Sequence, residues 1–331
     1  MDYSGDPNYL NRARILKRSN KTVLGELFFI PKVLRAAGDT GLLLLDSTSG
    51  RIHPDLLATI VIGFRPKSRR PVIVFMGAMW QKDPGLYGFA EKILIKLADR
   101  AIYRYAVQST DEIPYFFTAW GIPESKLRFV PYFSTFTESD LSTPAPTLEK
   151  FIFSGGNSHR DYDPYLKAIE SLPEHQFVIA SHLLDGKKLP PNVRAGQVTR
   201  PEFIRLMRAS AAVVVPLRRD LNRAVGQQTY LNAMLLGKPT IVTNTLGVRD
   251  HIKDGVTALV VDGSPEGYIE AIQKVFNPSQ ASEIEHLCQR AHQDVIDHFS
   301  FENHVTRLLE ILDEVIQENQ LLLKEFTHHV E

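Results

Sequence analysis

The feature that most narrows the fold is an alternation of short, nearly unbroken apolar runs with helical patterns. The runs are Leu42–Asp46, Val72–Met76, Ala101–Val107, Phe151–Ser154, Phe177–Ala180, Ala212–Pro216, Thr240–Thr243 and Ala258–Val261. Runs without polar alternation are expected of parallel strands covered on both faces. Helical patterns fall between them, at Tyr87–Asp99, Tyr165–Ser171, Pro201–Ala209, Gln228–Leu236 and Ser264–Phe276. Strand–helix alternation predicts an α/β protein with doubly wound parallel sheets.

A Ser-, Thr- and Pro-rich stretch, "FSTFTESDLSTPAPTLEK" (133–150), lacks periodicity and reads as a break between two α/β halves. The expected layout is a first Rossmann-like domain over 1–140, a linker over 141–150 and a second Rossmann-like domain over 151–300. A C-terminal helix follows over 301–331, its pattern running Phe301–Phe326. Tyr9–Arg18 has a helical pattern, and the first buried strand comes only at Leu42. The first domain is therefore expected to be abridged.

The segment "GQQTYLNAMLLGKPTIVTN" (226–244) carries the most local chemistry. Leu231, Met234 and Leu235 give a helix one buried face. Gly237 suits a left-handed C-terminal cap, and Pro239 prevents continuation. The helix start at Gly226, Gln227, Gln228 and Thr229 follows a strand and a basic loop with Arg218, Arg219 and Arg223. Free N–H groups and the positive end of the helix dipole make such a start suitable for a diphosphate. It also suits a helix that merely needs a flexible, polar entry.

A companion loop, "FIFSGGNSHRDYDPYLKAI", sets Gly155, Gly156, His159 and Arg160 between a strand and a helix. The glycines allow close backbone approach, and His159 or Arg160 suits a phosphate. Asp161-Tyr162-Asp163 resembles an Asp-x-Asp metal–nucleotide signature. Asp163 as N-cap before Pro164 is the stronger reading, and no metal is expected.

The 331 residues carry 38 Lys and Arg against 38 Asp and Glu. Residues 1–150 hold 20 basic and 15 acidic side chains, so the first half is basic and the second acidic. The single cysteine, Cys288, excludes a disulfide within the chain and fits a reducing compartment. Leu56–Phe64 and Val72–Trp80 are the longest apolar stretches, far short of the ~20 residues of a membrane span. The start, MDYSGDPNYLNR, lacks a signal-peptide pattern, and a cytoplasmic protein is expected. No G-x-S-x-G, H-E-x-x-H or G-x-G-x-x-G occurs, and no aromatic–basic motif suggests nucleic acid.

The ordered motifs of the second half resemble the nucleotide-sugar-binding domain of GT-B-fold glycosyltransferases, close to glycosyltransferase family 4. The resemblance runs from the Gly155-Gly156 loop through "VRAGQVTRPEFIRLMRASAAVVVPL" to "AVGQQTYLNAMLLGKPTIVTNTLGVRDHIKDGVTALVVDGSPEGYIEAI". Ala233-Met234, Gly237, Pro239, Gly247, Asp254-Gly255 and Asp262-Gly263 keep the family's framework. The strong part covers about residues 151–276, and "LADRAIYRYAVQSTDEIPYFFTAWGIPESKLRFVPYF" resembles the end of the acceptor domain more faintly.

The resemblance implies a GT-B-like fold, two Rossmann-like domains facing a cleft. It implies transfer of a sugar from a nucleotide diphosphosugar to a glycan or lipid-linked acceptor, with retention, no metal and no cofactor. Donor binding falls on Gly155, Gly156, His159, Arg160, Arg223, Gly226, Gln227, Gln228, Thr229 and Asn232. The family's paired glutamates fall at Ala224 and Asn232, and both are replaced. The family histidine after the strand Val72–Met76 is missing from "MGAMWQKD". That leaves His53 and Gly77 as acceptor- or sugar-side candidates. A non-catalytic GT-B-like partner subunit is the second reading, and an epimerase or phosphorylase the third.

Lys92, Lys96, Arg100 and Arg104 recur every fourth residue, with Ile93, Leu94 and Leu97 expected to pack on the other side. Such a stripe suits peripheral contact with anionic lipid at the inner membrane face. It equally suits a solvated face paired with Glu91 and Asp99.

Overall fold

The computed structural model describes residue 16 and residues 23–46, 53–78, 80, 85–142 and 147–320. It separates into two compact units. One comprises Met1–Val130 with His304–Glu331, the other Pro131–Asn303. The expected helix at Tyr9–Arg18 lies outside the described residues, apart from Leu16.

The first unit runs α1 (Val23–Asp39), β1 (Leu42–Asp46), α2 (Pro54–Gly63), β2 (Val72–Met76), α3 (Gly85–Asp99), β3 (Ile102–Val107), α4 (Glu112–Trp120) and β4 (Leu127–Phe129). Its four described strands are parallel, in the order β1-β2-β3-β4. Side chains alternate across this sheet. Leu43, Leu45, Ile73 and Phe75 point into a core with α1 to α4. Leu42, Leu44, Val72 and Val74 point to the opposite face.

That opposite face is covered by the last described helix, α11, which spans Phe301–Glu318. Leu309, Leu312 and Val315 pack on Val72 and Val74. Arg104 donates to Glu318 at 2.6 Å, and Arg128 pairs with Glu314. So the C-terminal helix supplies the second covering layer that a parallel sheet needs. The described part ends at Glu318, and residues 321–326 of the expected Phe301–Phe326 lie outside the described residues.

The second unit holds α5 (Glu138–Ser142), β5 (Phe151–Gly155), α6 (Tyr162–Glu170), β6 (Gln176–Ala180), β7 (Val193–Gly196), α7 (Arg200–Ala209), β8 (Ala212–Val215), α8 (Gln227–Leu235), β9 (Thr240–Thr243), β10 (Leu259–Val261), α9 (Pro265–Phe276) and α10 (Ala281–His298). Its six strands are all parallel, in the order β10-β9-β8-β5-β6-β7. Two halves of a doubly wound sheet thus meet where β5 lies beside β8. Loops leaving these two strands go opposite ways, which opens a crevice at their C-terminal ends.

The unit boundary falls after Val130, ten residues before the expected limit. Residues 132–140 are held on the second unit. His251 Nε2 accepts from the Tyr132 N–H at 3.2 Å, and the Phe299 carbonyl accepts from Ser134 at 2.9 Å. Arg200 forks onto Asp140 at 2.8 and 2.6 Å. That fork, with Thr137 donating, pulls the Asp140 carboxyl down to about 2.

Candidate functional site: a cationic switch-point crevice

The site is built at the β5–β8 switch point of the second unit. The loop after β5 and the loop after β8 are laced together by backbone bonds. Asp161 donates to the Pro216 carbonyl at 3.2 Å, and Arg218 donates to the His159 carbonyl at 3.1 Å. This lacing brings His159 and Arg160 beside Arg223 and the start of α8, although some sixty residues separate them in sequence.

Gly226 is the N-cap of α8, with φ +79°. A Cβ there would lie 2.6 Å from Leu217 Cδ2, so both the backbone angle and the space demand glycine. Gln228 is exposed, whereas Gln227 and Thr229 are buried. Among the described residues the Gln228 N–H has no protein acceptor, as expected of the first helical turn.

Arg160 crosses in front of this helix end. Its Nη2 donates to Thr229 Oγ1 at 2.8 Å, Nε to the Gly155 carbonyl at 3.0 Å and Nη1 to the Ser158 carbonyl at 3.0 Å. Gly156, with φ +116°, makes room: a Cβ there would sit 2.7 Å from Arg160 Nη2. Burial lowers the Arg160 pKa, yet a guanidinium stays charged at any physiological pH. No carboxylate pairs with Arg160 among the described residues. A half-buried cation at the positive end of a helix dipole is unfavourable unless an anion joins it.

Arg223 Nη2 is hydrogen-bonded to His159 Nε2. His159 has a left-handed backbone, φ 56°. Burial first, then Arg223, Arg218 and Arg160, push its pKa below the ordinary 6.5. The imidazole is therefore neutral at pH 7 and presents Nε2 as acceptor to the guanidinium.

The structure thus brings together Gly155, Gly156, His159, Arg160, Arg223, Gly226, Gln227, Gln228 and Thr229 from the expected donor set. Asn232, one turn further along α8, has its amide engaged elsewhere. It is 1% exposed, and its Oδ1 accepts from Ser134 Oγ and the Thr135 N–H, both at 2.8 Å. Its Nδ2 donates to Thr135 Oγ1 at 3.0 Å. The amide is occupied in strapping residues 134–135 to α8.

Other placements differ from the sequence reading. α6 starts at Tyr162, not after Asp163, because the Asp161–Pro216 bond draws the loop in early. Pro164 still falls in the first turn, where a missing N–H costs little. Asp163 pairs with Lys187 at 2.8 Å. No group of three or more His, Cys, Asp or Glu suited to a metal occurs among the described residues.

The basic stripe is also revised. α3 ends at Asp99, so Arg104 lies on β3 and pairs with Glu318. Lys92, Lys96 and Arg100 remain, but Ile93 and Leu94 are exposed, not packed inward. In the first unit, His53 caps α2 with φ 45°, its Nε2 3.9 Å from the buried Glu91 carboxylate. Gly77, with φ 65°, ends β2 at the same strand-end edge.

Sequence reasoning missed the residues that hold the two loops in place. Tyr162 donates to the Gly156 carbonyl at 2.9 Å. Asn157 Oδ1 accepts from Ser181 Oγ at 2.9 Å and from the His182 N–H at 3.0 Å. Thr243 Oγ1 accepts from the Leu217 N–H at 2.8 Å. The signal for Asn157 was its place directly after Gly155-Gly156; Tyr162 and Thr243 gave none.

Residues 155–277 match the model of the family described as glycosyl transferases group 1. Among solved structures, a glycosyltransferase from Rickettsia africae ESF-5 is 16% identical with a TM-score of 0.66, over 91% of this chain and 84% of that one. HepE of Anabaena, crystallised with UDP-glucose, is 16% identical with a TM-score of 0.64, over 90% and 84%. A TarM variant from S. aureus, crystallised with fondaparinux, α-GlcNAc-glycerol and UDP, is 14% identical with a TM-score of 0.63, over 86% and 58%. No curated protein matches the sequence. The fold is that of GT-B glycosyltransferases. The second unit carries a glycosyltransferase group 1 domain, which the crevice at β5 and β8 belongs to.

Proposed function

We propose that the protein transfers a sugar from a nucleotide diphosphosugar to a glycan or lipid-linked acceptor, with retention and without a metal ion. One observation carries this reading: Arg160, without a carboxylate partner, lies across the N-terminus of α8 at the switch point. A diphosphate there receives helix N–H groups, the guanidinium and the Arg223–His159 pair. When the sugar–phosphate C–O bond breaks, negative charge grows on the β-phosphate. Those donors stabilise it before the acceptor oxygen completes the new C–O bond. The acceptor hydroxyl's proton passes to the departing phosphate oxygen. Ligands bound to the similar structures, UDP-glucose in HepE and UDP in TarM, support the donor class.

A panel of sugar nucleotides, with release of nucleoside diphosphate as readout and EDTA present, tests the reaction. Turnover with at least one donor, unaffected by EDTA, is expected; no turnover with any donor and acceptor tried contradicts it. The anomeric configuration of the product, read by NMR, tests retention.

A second reading is a non-catalytic nucleotide-binding subunit. It is favoured by Ala224 and by an Asn232 amide already occupied. Tight nucleoside diphosphate binding with no turnover would select it.

A further inference from the structure

The outward face of α3 mixes large apolar side chains with cations. Leu86, Phe89 and Ile93, at i, i+3 and i+7, are 88%, 65% and 43% exposed. Lys92, Lys96 and, just past the helix end, Arg100 run beside them at i, i+4 and i+8. The inward face is ordinary core, with Ile95 and Ala98 fully buried.

Neither acid of α3 offsets the charge. Glu91 is buried, and Asp99 accepts from Lys126 Nζ at 2.7 Å and from Tyr105 at 3.0 Å. The end of α2 abuts the end of α3, since a Cβ on Gly63 would lie 3.5 Å from that of Ala101. Phe64, 76% exposed, follows Gly63 at that junction.

We propose that this face docks on an anionic lipid bilayer. Charge complementarity selects the occupant. Interleaved cations meet phosphate headgroups while Leu86, Phe89 and Ile93 enter the acyl boundary, as an interfacial amphipathic helix does. An acidic protein surface would match the cations and leave three large apolar side chains without a complement. No described helix is long and apolar enough to cross a membrane, so the contact is peripheral. The surface lies outside the donor site and stands independently of the proposed transfer reaction.

Co-sedimentation of the full chain with phosphatidylglycerol-containing and with pure phosphatidylcholine vesicles tests it. Binding to the anionic vesicles only is expected. Lys92→Gln/Lys96→Gln/Arg100→Gln should weaken it on the order of a hundredfold, at about fivefold per charge. Phe89→Gln/Ile93→Gln should weaken it at least about tenfold at unchanged charge. All substituted side chains are at least partly exposed, and an unchanged urea denaturation curve of the full chain confirms that the variants fold. Wild-type protein remaining in the supernatant, or binding that neither variant alters, overturns the proposal. A dimer seen by light scattering that Phe89→Gln/Ile93→Gln dissolves also overturns it, in favour of a second copy on this face.

Discussion

Arg160 Nη2 lies 2.8 Å from Thr229 Oγ1, which ties the loop after β5 to the first turn of α8 across the sheet's switch point. The bond aims a guanidinium at the same place as the helix N–H groups. Two motifs distant in sequence therefore meet at one cationic edge, and the proposed diphosphate site there has measurable consequences.

Under the proposed function, replacing Arg160 removes the charge nearest the departing phosphate. Arg160→Gln is expected to lower kcat/KM on the order of a hundredfold or more. Thr229→Val removes only the tie that orients the guanidinium and is expected to cost about tenfold. Steady-state kinetics with the preferred donor compare the two; equal, small effects would place the diphosphate elsewhere.

Gly226 has no substitute that keeps the geometry. Gly226→Ala puts a Cβ into Leu217 at a backbone angle that L-residues avoid, φ +79°. A stability loss of about 2 kcal/mol in urea titration is expected, with a larger fall in nucleotide affinity than this alone would give.

His159 links the site to pH. Its pKa is depressed below 6.5 by burial and by the surrounding arginines. The free folded protein therefore binds fewer protons here than the unfolded chain. The stability associated with neutral His159 is present above pH 6.5 and lost as pH falls from 6.5 through the folded value. A bound diphosphate reverses the local field and raises this pKa. Calorimetry near pH 6 in buffers of different ionisation enthalpy should show more proton uptake on UDP binding than in His159→Gln. Equal uptake in the two proteins would remove His159 from the site.

Asn232 is expected to act through the strap. Asn232→Ala leaves the Ser134 hydroxyl and the Thr135 N–H without their buried acceptor, at a cost of about 3 kcal/mol. Urea denaturation should show this loss, while UDP affinity of the folded protein stays within about threefold. A large affinity loss without a stability loss would instead mark a donor contact.

Much of the architecture was legible because fully buried strands are written as continuous apolar runs, such as Val72–Met76 and Ala212–Val215. β7, Val-Arg-Ala-Gly at a sheet edge and only half-buried, carries no such run, and β4 has three residues with Arg128 in the middle. The register of Lys92 to Arg104 misled because a four-residue spacing continues in the letters while the helix stops at Asp99. Glycines and arginines of the site were readable from local chemistry. The lacing of Asp161 to Pro216 and Arg218 to His159 was not, since backbone bonds between distant loops leave no mark on residue type. Nor did Asn232 reveal that its amide faces Ser134 and Thr135.

The central claim is that a diphosphate sits at the N-terminus of α8. Backbone amide NMR of the labelled protein, titrated in turn with UDP, GDP and ADP, tests it most directly. For at least one nucleotide, saturable shifts should be largest at Gln228 and its neighbours over 226–229, with a second cluster over 156–160. Shifts that avoid both segments, or none with any nucleotide, would contradict the claim.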